Sequence, residues 1–77
     1  MKKMLDVHMI YDSSYPEKLI KKGKEECFAE LQQQLLKLVK EGGKFSFGKY
    51  IVIESKYDFF YGEKKTFSVY LPYKKLD

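Results

Sequence analysis

The stretch that decides the fold is Ser14-Tyr-Pro-Glu-Lys-Leu-Ile-Lys-Lys-Gly-Lys-Glu-Glu-Cys-Phe-Ala-Glu-Leu-Gln-Gln-Gln-Leu-Leu-Lys-Leu-Val-Lys-Glu-Gly-Gly43. Ser14-Tyr15-Pro16-Glu17 has the spacing of a capping box, in which the Ser hydroxyl and the Glu carboxylate satisfy free amides of the first helical turn. Ile20, Cys27, Phe28, Leu31, Leu35, Leu38 and Val39 then fall in one apolar stripe, about a third of a helix circumference wide. A helix is therefore expected to about Glu41, where Gly42-Gly43 supplies the left-handed residue of a C-terminal cap. Gly23 and Lys24 interrupt the stripe. Either Lys24 snorkels from a continuous helix or the helix breaks there, leaving a short first turn and a main helix from about Lys24, and the break is the preferred reading of two nearly equal ones.

Upstream of the helix, residues 4–11 alternate: Leu5, Val7, Met9 and Tyr11 face one way, Asp6, His8 and Ile10 the other. This is a strand, ended by Asp12-Ser13-Ser14. Downstream, residues 49–60 alternate again. Ile51, Ile53, Tyr57 and Phe59 are assigned to the core face, and Tyr50, Val52, Glu54, Lys56, Asp58 and Phe60 to the other. Tyr61-Gly62-Glu63-Lys64 reads as a turn. A last strand runs from Lys65 to Leu71 with Phe67, Val69 and Leu71 inward, and Pro72 is expected to stop it. Phe45-Ser46-Phe47 extends the second strand upstream, with a bulge at Gly48 that resets its facing.

The expected architecture is α+β, in the order β-α-β-β. One long helix lies on one face of a small, mainly antiparallel sheet of three to four strands, and residues 1–77 form a single domain. The uncovered face is expected to carry Tyr50, Val52, Phe60, Tyr70 and Ile10, an apolar patch of the kind that marks contact surfaces.

A chain of 77 residues, 44% hydrophobic and 34% charged, has globular composition. Its one cysteine, Cys27, forbids an intrachain disulfide, so a reducing cytoplasm is the expected setting. Met1-Lys2-Lys3 is followed by alternating polarity rather than an apolar signal core, and no run approaches the length of a membrane span. All fifteen basic residues are Lys, and neither Arg nor Asn occurs. The two side chains that most often read base edges are thus missing, which argues against sequence-specific DNA recognition.

Few residues offer chemistry. Gly43-Lys-Phe-Ser-Phe-Gly48-Lys49 matches the spacing of a phosphate-binding loop, but Tyr50 stands where Ser or Thr must hold magnesium, and the segment leaves a helix and enters a strand. His8, with Asp6 and Asp12 nearby, lacks the further N or S ligands of a zinc site and reads as a surface histidine. Cys27 lies on the apolar stripe beside Glu25, Glu26 and Glu30, a setting that disfavours its thiolate. No catalytic residue, cofactor or metal is expected. Six Lys and five Glu between residues 15 and 43, many four apart, make the outer helix face nearly neutral.

The remaining signal lies in residues 44–77, which hold ten of the thirteen aromatics and seven Lys against four acids. The hairpin from Lys56 to Lys65 groups rings beside lysines. Tyr50, Phe60, Tyr61, Lys64, Lys65 and Tyr70 are the expected contact residues, since Tyr anchors suit protein interfaces. The expected function is a non-catalytic module, an inhibitor or regulator docking on a larger protein. Small phage and mobile-element proteins that block host enzymes or defence systems, anti-CRISPR proteins among them, have this size. The alternative is sequence-tolerant binding of single-stranded nucleic acid through Lys and ring stacking. A homodimer joined through the uncovered sheet face is compatible with either.

Overall fold

A computed structural model describes residues 3–60 and 62–76, with Phe59 by its backbone alone. Tyr61, one of the expected contact residues, lies outside them. The chain is α+β: β1 (Lys3–Asp12), α1 (Glu17–Lys40), β2 (Phe45–Phe47), β3 (Ile51–Phe59) and β4 (Gly62–Lys75). One helix packs on a four-stranded antiparallel sheet in which β4 is central. β1 pairs along one side of β4, from Lys3↔Tyr73 to Asp12↔Lys64. β2 and β3 share the other side, one after the other.

The alternation of β1 holds as expected, with Val7 and Tyr11 buried and Ile10 facing away. The buried core consists of Val7, Tyr11, Cys27, Leu31, Phe67, Val69 and Leu71, with Leu5, Met9, Ile20, Leu35 and Phe47 packed against it. Leu31 and Val69 reach 0% exposure and mark its centre.

The helix departs from expectation at both of its sequence signals. It runs unbroken through Gly23, whose cost of about 1 kcal/mol in a helix interior is offset by packing on the sheet, and the end of the Met9 side chain lies over it, 2.5 Å from where a Cβ would stand. Lys24 is accommodated as well. Its ammonium meets Glu54 Oε1 at 2.7 Å and lies 5.2 Å from the centre of the Phe67 ring. The capping box does not form. Asp12 Oδ1 accepts from both the backbone N–H and the hydroxyl of Ser14, at 3.0 Å each, so Ser14 belongs to a turn that closes β1. Pro16 becomes the N-cap, without a side-chain cap. The other end follows the sequence: Gly42 and Gly43 take φ of 96° and 113°.

The bulge forms, and it resets the strand. Phe47 pairs with Tyr73 and Ile51 with Tyr70, so Gly48, Lys49 and Tyr50 stand opposite only Leu71 and Pro72. Pro72 consequently does not stop β4, which continues to Lys75. The Pro72 carbonyl accepts from the Gly48 N–H at 2.9 Å. A strand residue directs its N–H and C=O to the same side, so the donor that Pro72 lacks would have pointed into the bulge.

The same stagger corrects the facing of β3. Val52 lies opposite Val69 and Glu54 opposite Phe67. Directly paired residues share a face, which puts Tyr50, Val52 and Glu54 on the helix side and Ile51, Ile53 and Tyr57 on the open side. This is the reverse of the sequence expectation. Counting by two within β3 gives the alternation but not its phase, and the phase is fixed by pairing with β4. The turn is also shorter than expected. Phe59 pairs with Gly62, so Glu63 and Lys64 are already strand residues, and Gly62 takes φ of 128° at the reversal.

Candidate functional site

The five expected contact residues that are described do not converge. Tyr50 sits at the bulge on the helix side, its ring 5.9 Å from that of Phe28 in an edge-to-face contact. Lys65, opposite Lys56 and Tyr11, is on that side too. Lys64 and Tyr70 are on the open face, and Phe60, 98% exposed, stands at the hairpin tip.

The open face is better organised than the hairpin. Its centre is a row of three polar side chains contributed by β1 and β4. Asp6 Oδ2 lies 2.8 Å from His8 Nε2, and His8 Nδ1 lies 2.8 Å from Ser68 Oγ. A carboxylate only accepts, so Nε2 carries the proton, and in the neutral ring Nδ1 accepts from the Ser68 hydroxyl. Tyr70 packs edge-on against the imidazole at 5.4 Å, which holds the ring from the β4 side. The sequence showed Asp6 and His8 two apart on one strand face; Ser68 was missed because only the β1–β4 register brings it opposite His8.

The connectivity of this row is that of a Ser–His–Asp array. Its surroundings differ from those of a hydrolase site. β4 has a strand on each side at Ser68, which commits the nearby amides to sheet pairing rather than to a shared oxyanion. Among the described residues no three His, Cys, Asp or Glu side chains are grouped to hold a metal ion.

Apolar side chains surround the polar row. Met4 and Ile10 come from β1, and Ile51, Ile53 and Tyr57 from β3, all exposed, with Ile10 reaching 72%. The face is poor in lysine although the chain is rich in it. Along the open-face positions of β1, β3 and β4, lysine stands only at the two ends: Lys64, beside Asp12 Oδ2 at 3.4 Å, and Lys74, opposite Ser46. Depletion of charge inside an apolar patch is the compositional mark of an interface core.

Several charges of the hairpin region are paired. Lys24 bonds Glu54, and Lys56 bonds Glu63 at 3.0 Å; both ammonium groups are held above the ordinary lysine range chiefly by those hydrogen bonds. Asp12 is held below the ordinary carboxylate range by the Ser14 N–H first, then the Ser14 hydroxyl and Lys64. Burial, followed by Glu30 and Glu26, raises the Cys27 thiol, which is the setting of an inert core cysteine.

The whole surface is larger than the chain requires. A folded monomer of 9.2 kDa exposes about 4,900 Å² by the usual scaling. This chain exposes 6296 Å², a surplus of about 1,400 Å² over that scaling. Its radius of gyration is 15.1 Å, against about 11–12 Å for a compact domain of this length. Fourteen large apolar residues are exposed among those described, twice the number buried.

No family model matches the chain, and no curated protein or solved structure does. Among the described residues no helix is long and apolar enough to cross a membrane.

Proposed function

We propose that this chain is a non-catalytic protein-binding module, a small inhibitor or regulator whose open sheet face and adjoining hairpin tip dock on a larger protein. The observation that carries the reading is the open face itself: Ile10, Ile51, Ile53 and Tyr57 exposed around a fixed Asp6–His8–Ser68 row, with lysine confined to the two ends. An apolar surface with a few fixed polar groups suits a protein partner, since the rings and aliphatics supply contact area and the polar row supplies orientation. Single-stranded nucleic acid finds less support. It needs lysines beside stacking rings, and the open face carries them only at its ends, where Lys64 already faces Asp12.

The test uses immobilised protein, lysate of its source cell, and an Ile10→Asp variant. Ile10 is so exposed that the substitution leaves stability within about 0.5 kcal/mol. One dominant protein retained after nuclease treatment, and lost with Ile10→Asp, supports the proposal. Retention that nuclease abolishes moves the assignment to nucleic acid. Retention indifferent to Ile10→Asp removes the open face from the reading.

A further inference from the structure

We propose that two copies of this chain associate by antiparallel pairing of β3 with β3, about a two-fold axis at Ser55. β3 pairs with β4 on one side only, and its other edge is a row of backbone groups that can template another strand. Ile51, Val52 and Ile53 are 40%, 48% and 48% exposed, so this edge is uncovered on both faces. β1, the opposite edge, is guarded at its middle, where Gln34 Nε2 reaches from α1 to the Asp6 carbonyl at 3.2 Å.

The sequence of β3 is self-complementary about Ser55, a register that pairs all nine of its residues; centring on Tyr57 also opposes Lys56 and Asp58 but pairs only residues 55–59. A two-fold axis perpendicular to the sheet pairs residues of equal facing, and centring it on Ser55 sets Glu54 opposite the second copy's Lys56 and Ile53 opposite its Tyr57. Opposite charges and aliphatic–aromatic pairs are the favourable cross-strand combinations. The two neighbouring registers of equal facing are unfavourable: centring on Glu54 opposes two glutamates, and centring on Lys56 opposes two lysines and sets Glu54 against Asp58. Within each chain Glu54 already holds Lys24, and Lys56 holds Glu63. The Ser55 register therefore builds two rows of alternating charge, Lys24–Glu54–Lys56–Glu63, each crossing the axis.

Pairing at the β3 edge leaves the open face free for the larger protein, so the dimer goes beyond the proposed docking and does not depend on it.

The experiment is sedimentation velocity on the purified protein and on charge-reversed variants. Wild type is expected at twice 9.2 kDa in the micromolar range. E54K places like charges across the axis, as does K56E, and each raises the dissociation constant at least about tenfold. Mixing the two variants restores opposite charges on both sides and recovers the dimer. Because recovery requires both chains to be folded, it separates lost pairing from lost structure. On a C27A background, S55C brings two thiols together at the axis, within the reach of a disulfide, and is expected to cross-link on oxidation. A wild-type monomer at several hundred micromolar overturns the proposal. So does a dimer that both reversals leave unchanged and S55C fails to cross-link, which would put the contact on another surface.

Discussion

Deleting Gly48 and Lys49 together tests whether the bulge sets the facing of the strands around it. Gly48, Lys49 and Tyr50 stand opposite two residues of β4; removing one would make the count equal and keep every facing, whereas removing two leaves a single residue opposite two. One flank must then turn over, because a one-residue slip exchanges the faces of a strand. β3 is fixed to β4 from Ile51↔Tyr70 to Phe59↔Gly62, whereas β2 has only the pairs at Phe45, Ser46 and Phe47, so β2 gives way. Phe45 and Phe47 leave the helix side, where both rings pack on Tyr73 at 6.0 and 6.3 Å and Phe47 also packs on the core. A large ring buries about 150–250 Å² when fully enclosed. These two are half-buried, so roughly 100 Å² each is at stake, or about 5 kcal/mol together at 25 cal/mol per Å². The turned rings regain some contact on the open face, which leaves a net loss of about 3–5 kcal/mol. Thermal unfolding followed by circular dichroism should show a midpoint at least about 12 °C lower. The control is Lys49→Ala, which keeps the count and should stay within about 0.5 kcal/mol. A double deletion that costs less than about 1 kcal/mol would refute the reasoning, because the stagger would then hold nothing in place.

Leu31→Ala empties the centre of the core, where the side chain is 0% exposed, and should cost about 2–5 kcal/mol by urea titration; a loss below 1 kcal/mol would mean that the helix does not seat there. Asp12 has a folded pKa below its unfolded value of 3.8, so its contribution is present above that pH and fades as the pH falls through the folded pKa. The unfolding midpoint of Asp12→Ala should accordingly lie below that of wild type at neutral pH and approach it in acid; a gap independent of pH would assign the loss to something other than the carboxylate. The Cys27 thiol has a folded pKa above its unfolded value of 9.0, so its contribution is complete below that pH and is lost as alkali ionises the unfolded chain. A thiol reagent near neutral pH should label native protein at least about a hundredfold more slowly than denatured protein, and equal rates would place Cys27 outside the core.

The elements were legible where the pattern is local. The alternation of residues 4–11, the apolar stripe around Leu31 and the Gly42-Gly43 cap each lie within one stretch of chain, and each stands as read. What failed was decided by a neighbour. Gly23 reads as a helix breaker, but the helix seats on β1 there, with the end of the Met9 side chain packed over the glycine, and runs on. Ser14 matches a capping signature, but Asp12 engages it first. The bulge at Gly48 was legible from Gly between two alternating runs. Its consequence for Ile51, Val52 and Ile53 was not, because which of two faces meets the helix is a property of the β3–β4 register and leaves no trace in β3 alone. The candidate site was lost in the same way: Tyr50 and Lys65 belong to one face, Lys64 and Tyr70 to the other, and Ser68 joins His8 only across strands.

The run Ile51-Val52-Ile53 carries a further implication. Unbroken β-branched apolar residues are the pattern of a strand covered on both faces, whereas a half-covered strand alternates. In this chain β3 is covered on neither. Geometry explains the helix side: a helix is about 10 Å wide and strands lie about 4.8 Å apart, so one helix spans two strands. α1 lies over β1 and β4, and β3 falls beyond its reach except at Phe28 and Lys24. The sequence thus places apolar residues on both faces of an edge strand that its single helix, sheltering the other two, leaves exposed. The distribution of charge agrees: Glu54, Lys56 and Asp58 follow the apolar run along the same strand and restrict the registers in which a second strand can be added.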